Sequence, residues 1–336
     1  MASRLEWNAD SDPAQRAARV VALDALDDVA DAEDRVKKSD PESVHKFRVS
    51  LRSLRSWLRV YSPCLSDTVR KRTSKRLRRI ADATTELRDL DVQIRWLRTE
   101  RLALGDSRLA AAQWIRSTLK AERKRSWRRF KTVWARDFDR ATNALRAELE
   151  HYTVTRLVRQ PGDEDRMGIV STRLMGDQAE ALATALSRVR SADDAKRLHR
   201  ARIVAKQARY CLALLGEHSL AAATLGDELE RFQNLVGDLR DAQLLAHRVS
   251  REVTRIAAQR TAIVASELTY RPSGAMDFVR VMTNSPIDAS LALLFARLHD
   301  RIWAASRAMV SWLGSDASAR LVTDIRAAAA RLGDVQ

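Results

Sequence analysis

Apolar positions recur along this chain at three- and four-residue intervals, the rhythm of one buried face on successive α-helices. Residues 13–38 predict a first helix, whose apolar face is Ala17, Val20, Val21, Leu23, Leu26, Val29 and Ala30. Its polar face is acidic, carrying Asp24, Asp27, Asp28, Asp31, Glu33 and Asp34. The stretch SDPES then predicts a stop and a new start, with Asp40 as N-cap, Pro41 in the first helical position and Glu42 at the positive end of the dipole. The next helix carries a seam of Val44, Phe47, Leu51, Leu54, Leu58 and Tyr61, and Ser62-Pro63 ends it. Helical patterning resumes over about 66 to 100 and about 107 to 150.

Residues 151–178 break the pattern with YTVTRLV, PGDED and two further glycines. They predict a connection between an N-terminal half, 13–150, and a C-terminal half, 179–336. The second half repeats the plan. Its first full helix has an apolar stripe of Leu198, Ala201, Ala205, Ala208, Leu212 and Leu215, and a second break at YRPSGAMDFVRVMTNSPID precedes a terminal helical pair.

A second stripe runs beside each seam. His45, Arg48, Arg52, Arg55 and Arg59 follow the rhythm of the seam shifted by one residue, within a wedge of roughly 80° at about 100° per residue. His199, Arg202, Lys206 and Arg209 reproduce the first four members in order. Downstream, TELRDLD and GDLRDAQ align Arg88 with Arg240 and Asp89 with Asp241. A solvated helix face tolerates mixed signs, yet neither stripe holds an acid between its first and last member. Like charges in one wedge repel, and an anion would relieve them. Arginine is also the better side chain for bidentate phosphate contact.

Composition sharpens this reading. The 336 residues include 60 lysines and arginines against 44 acids, a formal charge of +16, with only 10 glycines, 6 prolines and 5% aromatics. That is a helical chain with few turns and a polyanionic partner. No apolar run is long enough to span a bilayer, and the N-terminus lacks the pattern of a secretory signal. The two cysteines, Cys64 and Cys211, form no CxxC pair, so a disulfide or zinc site is not expected and a reducing cytoplasm fits.

Catalytic readings find little support. The six histidines are isolated from each other, and the one His-Asp pair, at 299–300, lies within an apolar helical pattern. No P-loop, dinucleotide fingerprint or nucleophile elbow occurs. The carboxylates of ELRDLD could hold a divalent cation or pair with nearby arginines; pairing is the commoner fate. No cofactor and no metal are expected.

The paired motifs VHKFRVSLRSLRSWL and LHRARIVAKQARYCL, each followed by its RD segment, resemble those of the CHAD domain, the conserved-histidine α-helical domain. The resemblance covers about residues 15 to 315. It implies an all-α fold of two four-helix bundles related by a pseudo-twofold axis, with a basic central cleft that binds inorganic polyphosphate. Members are binding or targeting modules, some on polyphosphate granules. Others are fused to a triphosphate tunnel metalloenzyme, whose ExExK motif is missing from the N-terminus here. The likeness carries over to His45, Arg48, Arg52, Arg55, His199, Arg202, Lys206 and Arg209, with Arg88 and Arg240 in the second motif.

The expected polyphosphate site therefore comprises these ten residues with Arg59, Lys75 and Arg79. Gln207 and Ala208 depart from the family pattern, and GDELERFQNL lacks the basic density of RKRTSKRLRR, so an asymmetric cleft is expected. The resulting expectation is a cytoplasmic, non-enzymatic polyphosphate-binding protein, with no membrane partner. Two rivals stay open: a nucleic-acid binder using Trp57, Trp96, Trp114, Trp127 and Trp134 as stacking platforms, and a metal-dependent enzyme acting on phosphate polymers. The leading histidines are expected either to titrate with ligand, their pKa lowered by neighbouring cations and raised by a polyanion, or to be neutral and structural.

Overall fold

The computed structural model describes residues 12–36, 39–104, 110–151, 166–213, 220–270 and 286–333. Regular structure among them is helical, apart from one isolated bridge between Pro13 and Arg166. The helices are α1 (Ala14–Val36), α2 (Pro41–Val60), α3 (Ser62–Leu65), α4 (Lys71–Leu104) and α5 (Ala110–Glu150). They continue with α6 (Met167–Ser187), α7 (Ala195–Ala213), α8 (Leu220–Tyr270), α9 (Pro286–Leu313) and α10 (Asp316–Gly333).

Backbone contacts divide the chain into two compact units. One comprises residues 1–88, 126–236 and 309–336, the other 89–125 and 237–308. Each draws on both sequence halves, because α4, α5, α8 and α9 contribute a segment to each. In the first unit α1 packs on α2, α6 packs on both α7 and α10, and α2 meets α7. In the second, Leu90, Leu97, Ile115, Leu119, Leu245, Val249, Leu294 and Leu298 close one core from four helical segments.

The start of α2 is built as its sequence requires. The Asp40 carboxylate accepts from the backbone N–H of Ser43 (2.9 Å) and of Glu42 (3.1 Å), and Pro41 opens the helix. Hydrogen bonding from Ser43 holds the Asp40 pKa below its ordinary value. Asp40→Ala should cost about 1 kcal/mol, read as a lower denaturant midpoint at unchanged slope. The seam of α2 is buried at Val44, Phe47, Leu51, Leu54 and Tyr61, with Leu58 half-buried and Trp57 added to it. Phe47 meets Phe130 and Phe138 of α5 at ring distances of 6.1 and 5.9 Å. The Trp57 indole N–H donates to the Ala18 carbonyl of α1 at 3.0 Å. These contacts fix the rotation of α2 about its axis, and with it the direction of the basic stripe.

Four expectations shift. Ala30 is exposed, and the buried face of α1 instead includes Ala14, Ala18, Ala22 and Ala32. The connection expected over 151–178 is shorter, since α6 takes up residues from Met167 onward; 152–165 lie outside the described residues. Gly168 and Gly176 are read as breakers but sit within α6, where Met167, Gly168, Ser171, Met175, Ala179, Leu182 and Ala185 are buried. Burial of that face outweighs the helix cost of glycine, roughly 1 kcal/mol each. The second break likewise ends by Pro286, the first residue of α9, with 271–285 and Leu215 outside the described residues.

Candidate functional site

Both stripes fall in the first unit, on helices that touch. On α2, His45, Arg48, Arg52 and Arg55 are half-buried and Arg59 is exposed. On α7, Arg202, Lys206 and Arg209 are half-buried, whereas His199 is exposed. The second seam is buried at Leu198, Ala201, Ala205, Ala208 and Leu212. α7 packs on α6 and also meets α2, and the flanking cations of the two helices come together there, with Arg48 and Arg52 of α2 acting on Lys206 of α7.

Each stripe is tied down by the next long helix of the chain, α4 for α2 and α8 for α7. Arg48 donates to Thr85 Oγ1 (2.9 Å), Thr84 Oγ1 (3.0 Å) and the Ala81 carbonyl (3.4 Å) on α4. Arg202 donates through Nε to the Gln233 carbonyl on α8 at 2.8 Å. Ala81 and Gln233 lie the same distance, about two turns, before Arg88 and Arg240, so the internal repeat extends from sequence register to hydrogen bonding. Neutral acceptors of this kind orient a guanidinium while leaving its charge in place.

Lys206 reports the resulting field. Its pKa is pushed down from the ordinary lysine value to about 6, first by burial and then by the cationic neighbours Arg52, Arg202, Arg209 and Arg48. Two of these stand on α2 and two on its own helix, and among the described residues no acid contributes a compensating interaction. The Tyr210 ring lies 5.9 Å from the ammonium. Arg52 Nε is buried with no hydrogen-bond partner among the described residues, a donor that calls for an acceptor. Further along α2, burial lowers the Arg55 pKa, Asp82 opposes that shift, and Arg78 and Arg59 reinforce it.

Some expected residues are placed elsewhere. Arg209 is bridged to Glu230 of α8 at 3.1 Å, which offsets part of the α7 stripe. Glu230 lies in the acid-containing GDELERFQNL segment, and the sequence gives no spacing rule linking it to Arg209. Lys75 and Arg79 line a pocket between α4 and α5, where Arg79 bonds Asp137. Arg88 is half-buried at the end of the first unit's α4 segment, and Arg240 is half-buried in the second unit.

The rival chemistries can be placed too. Glu86 is held by Arg129, and Asp91 by Arg123, so two carboxylates around the first RD segment pair with arginine. Trp57 is buried, and Trp127 and Trp134 flank Phe130 at ring distances of 5.4 and 6.0 Å. Trp96 and Trp114 pack against the second unit's core, each with an arginine over its ring (Arg301 and Arg255, respectively). The five tryptophans considered as stacking platforms are therefore engaged in packing.

The CHAD domain model matches residues 21–250, more than half of the sequence. The chain belongs to the CHAD domain family. Among solved structures, it is similar to the CHAD domain from the plant Ricinus communis at 19% identity, over 87% of this chain and 95% of that one, with a TM-score of 0.61. It is also similar to PptA from Streptomyces chartreusis at 16% identity, over 89% and 99% of the two chains, with a TM-score of 0.46. No curated protein matches the sequence. The Ricinus likeness supports the all-α CHAD fold over nearly the whole length. No helix among the described residues is long and apolar enough to cross a membrane.

Proposed function

We propose that this CHAD protein binds inorganic polyphosphate, without catalysis, where the basic stripes of α2 and α7 meet, and that the two stripes form the walls of a binding groove. The observation that carries this reading is Lys206, half-buried among four arginines from two helices, with its charge suppressed by burial and by theirs. A fold gains nothing from gathering like charges in a partly desolvated groove, whereas a polyanion converts each repulsion into an attraction. Polyphosphate suits the groove because its charges are closely spaced and it needs no aromatic platform. Binding is electrostatic: each neutralised phosphate releases a condensed counterion, and orienting bonds such as Arg48 to Thr84 and Thr85 keep the guanidiniums in place. The finer architecture proposed with it is the pair of four-helix bundles enclosing a basic cleft, and association with polyphosphate granules would follow from the same affinity.

The test is competition. Long-chain polyphosphate should displace labelled single-stranded nucleic acid at several salt concentrations at least about tenfold better than an equal number of charges supplied as unlabelled nucleic acid. Equal competition would indicate a general nucleic-acid or polyanion surface. Release of orthophosphate with magnesium or manganese present would restore the enzymatic reading.

A further inference from the structure

A second basic cluster lies in the same unit, on a different face of α4. A pocket of about 600 Å³ between α4 and α5 is lined by seven cationic side chains and a single acid, Asp137. Arg78 and Asp82 of α4 act on Arg55 of the groove, whereas Arg72, Lys75, Arg76 and Arg79 occupy an arc centred about 90° away around the helix. Among the described residues no aromatic or aliphatic side chain lines the pocket, so they offer nothing for a base or a lipid chain to pack on.

Asp137 organises this cluster. Its side chain is 3% exposed and accepts from Arg79 through Nε (3.1 Å) and Nη2 (2.9 Å). Arg136 joins it through Nε (3.2 Å) and Nη2 (2.8 Å). Hydrogen bonds from Arg79, then from Arg136, keep the carboxylate ionised, with its pKa at about 2. One buried charge thus fixes two guanidiniums that are themselves half exposed, at 51% and 55%, and leaves the Nη1 group of each for another acceptor. Among the described residues, Arg72, Lys75, Arg76 and Arg140 make no ion pair, and they surround that fork.

We propose that the α4–α5 pocket is a second phosphate site, separate from the α2–α7 groove, which takes a short linear condensed phosphate on the Arg79–Asp137–Arg136 fork. The fork supplies preset N–H donors, and Arg76 and Arg140 supply further charge-assisted bonds across the opening. The proposal does not depend on what the groove binds.

Calorimetry with inorganic tripolyphosphate tests it. Arg76→Gln with Arg140→Gln should weaken tripolyphosphate binding at least about tenfold, the loss of two bonds to a charged ligand, with the helical circular dichroism unchanged. Arg52→Glu with Arg202→Glu, in the groove, should leave it within about twofold. Arg173→Gln with Arg320→Gln, two exposed arginines elsewhere, should do the same. The pocket is overturned if tripolyphosphate fails to bind, if the groove variant loses it, or if the exposed control weakens it as much as the pocket variant. Loss in the groove variant alone would place short chains in the groove, leaving the reading of that groove intact.

Discussion

Reversing one arginine on each wall of the groove, with Arg52→Glu and Arg202→Glu, should reduce affinity for long-chain polyphosphate by roughly 100- to 10,000-fold. Two hydrogen-bonded contacts to a charged ligand, at about 1.5–3 kcal/mol each, set that range. Each single variant should lose less, because one wall still holds the polymer. The slope of log affinity against log salt should fall by about 1.4, using about 0.7 per phosphate contact as for single-stranded nucleic acid. Arg202 also donates to the Gln233 carbonyl, so the milder Arg52→Gln with Arg202→Gln separates binding from folding. In both variants the thermal midpoint and helical signal are measured beside the affinity. Arg173→Glu with Arg320→Glu makes the same charge change on exposed positions of α6 and α10. If that control loses as much affinity as the groove variant, the binding is diffuse surface charge and the groove has no special role.

The direction of the stripes was legible in the sequence because the seam beside them was. Burial of Val44, Phe47, Leu51 and Leu54 dictates where Arg48, Arg52 and Arg55 point, and the same holds for Leu198, Ala201 and Ala205 with Arg202 and Lys206. Periodicity carries this much, since a helix has only one rotation that buries its apolar face. Which cations meet across helices was not legible. Lys75 and Arg79 share a basic run with Arg78, yet about a quarter turn of helix separates Arg79 from Arg78 and turns it toward Asp137. Glu230 reaches Arg209 from another helix, and that pairing depends on packing angle, which periodicity does not encode. Gly168 and Gly176 misled for the opposite reason: local propensity was read where tertiary burial decides.

Affinity for polyphosphate should rise as pH falls from about 8 toward 6, and Lys206 should be the group that takes up the proton. In the free groove its pKa is about 6, so at neutral pH it is mostly uncharged; Arg52 and Arg48 face it from α2, with Arg202 and Arg209 on its own helix. A bound polyanion reverses the sign of that environment and raises the pKa, so binding near neutral pH carries one proton with it. Affinity then gains up to about tenfold per pH unit between the bound and free values, and levels off below about 6, where Lys206 is already charged. Stability of the free protein should move the other way. The folded pKa lies below the unfolded lysine value, so the unfolded chain holds more protons across that window. Lys206 therefore favours the fold increasingly as pH rises from about 6 toward the unfolded value. Lys206→Arg, permanently charged, should bind with little pH dependence. Lys206→Met should bind weakly at every pH while raising the thermal midpoint at pH 6. His45→Gln with His199→Gln should keep the wild-type slope. If the slope instead survives in Lys206→Arg and disappears in the histidine variant, the proton goes to the imidazoles that open each stripe.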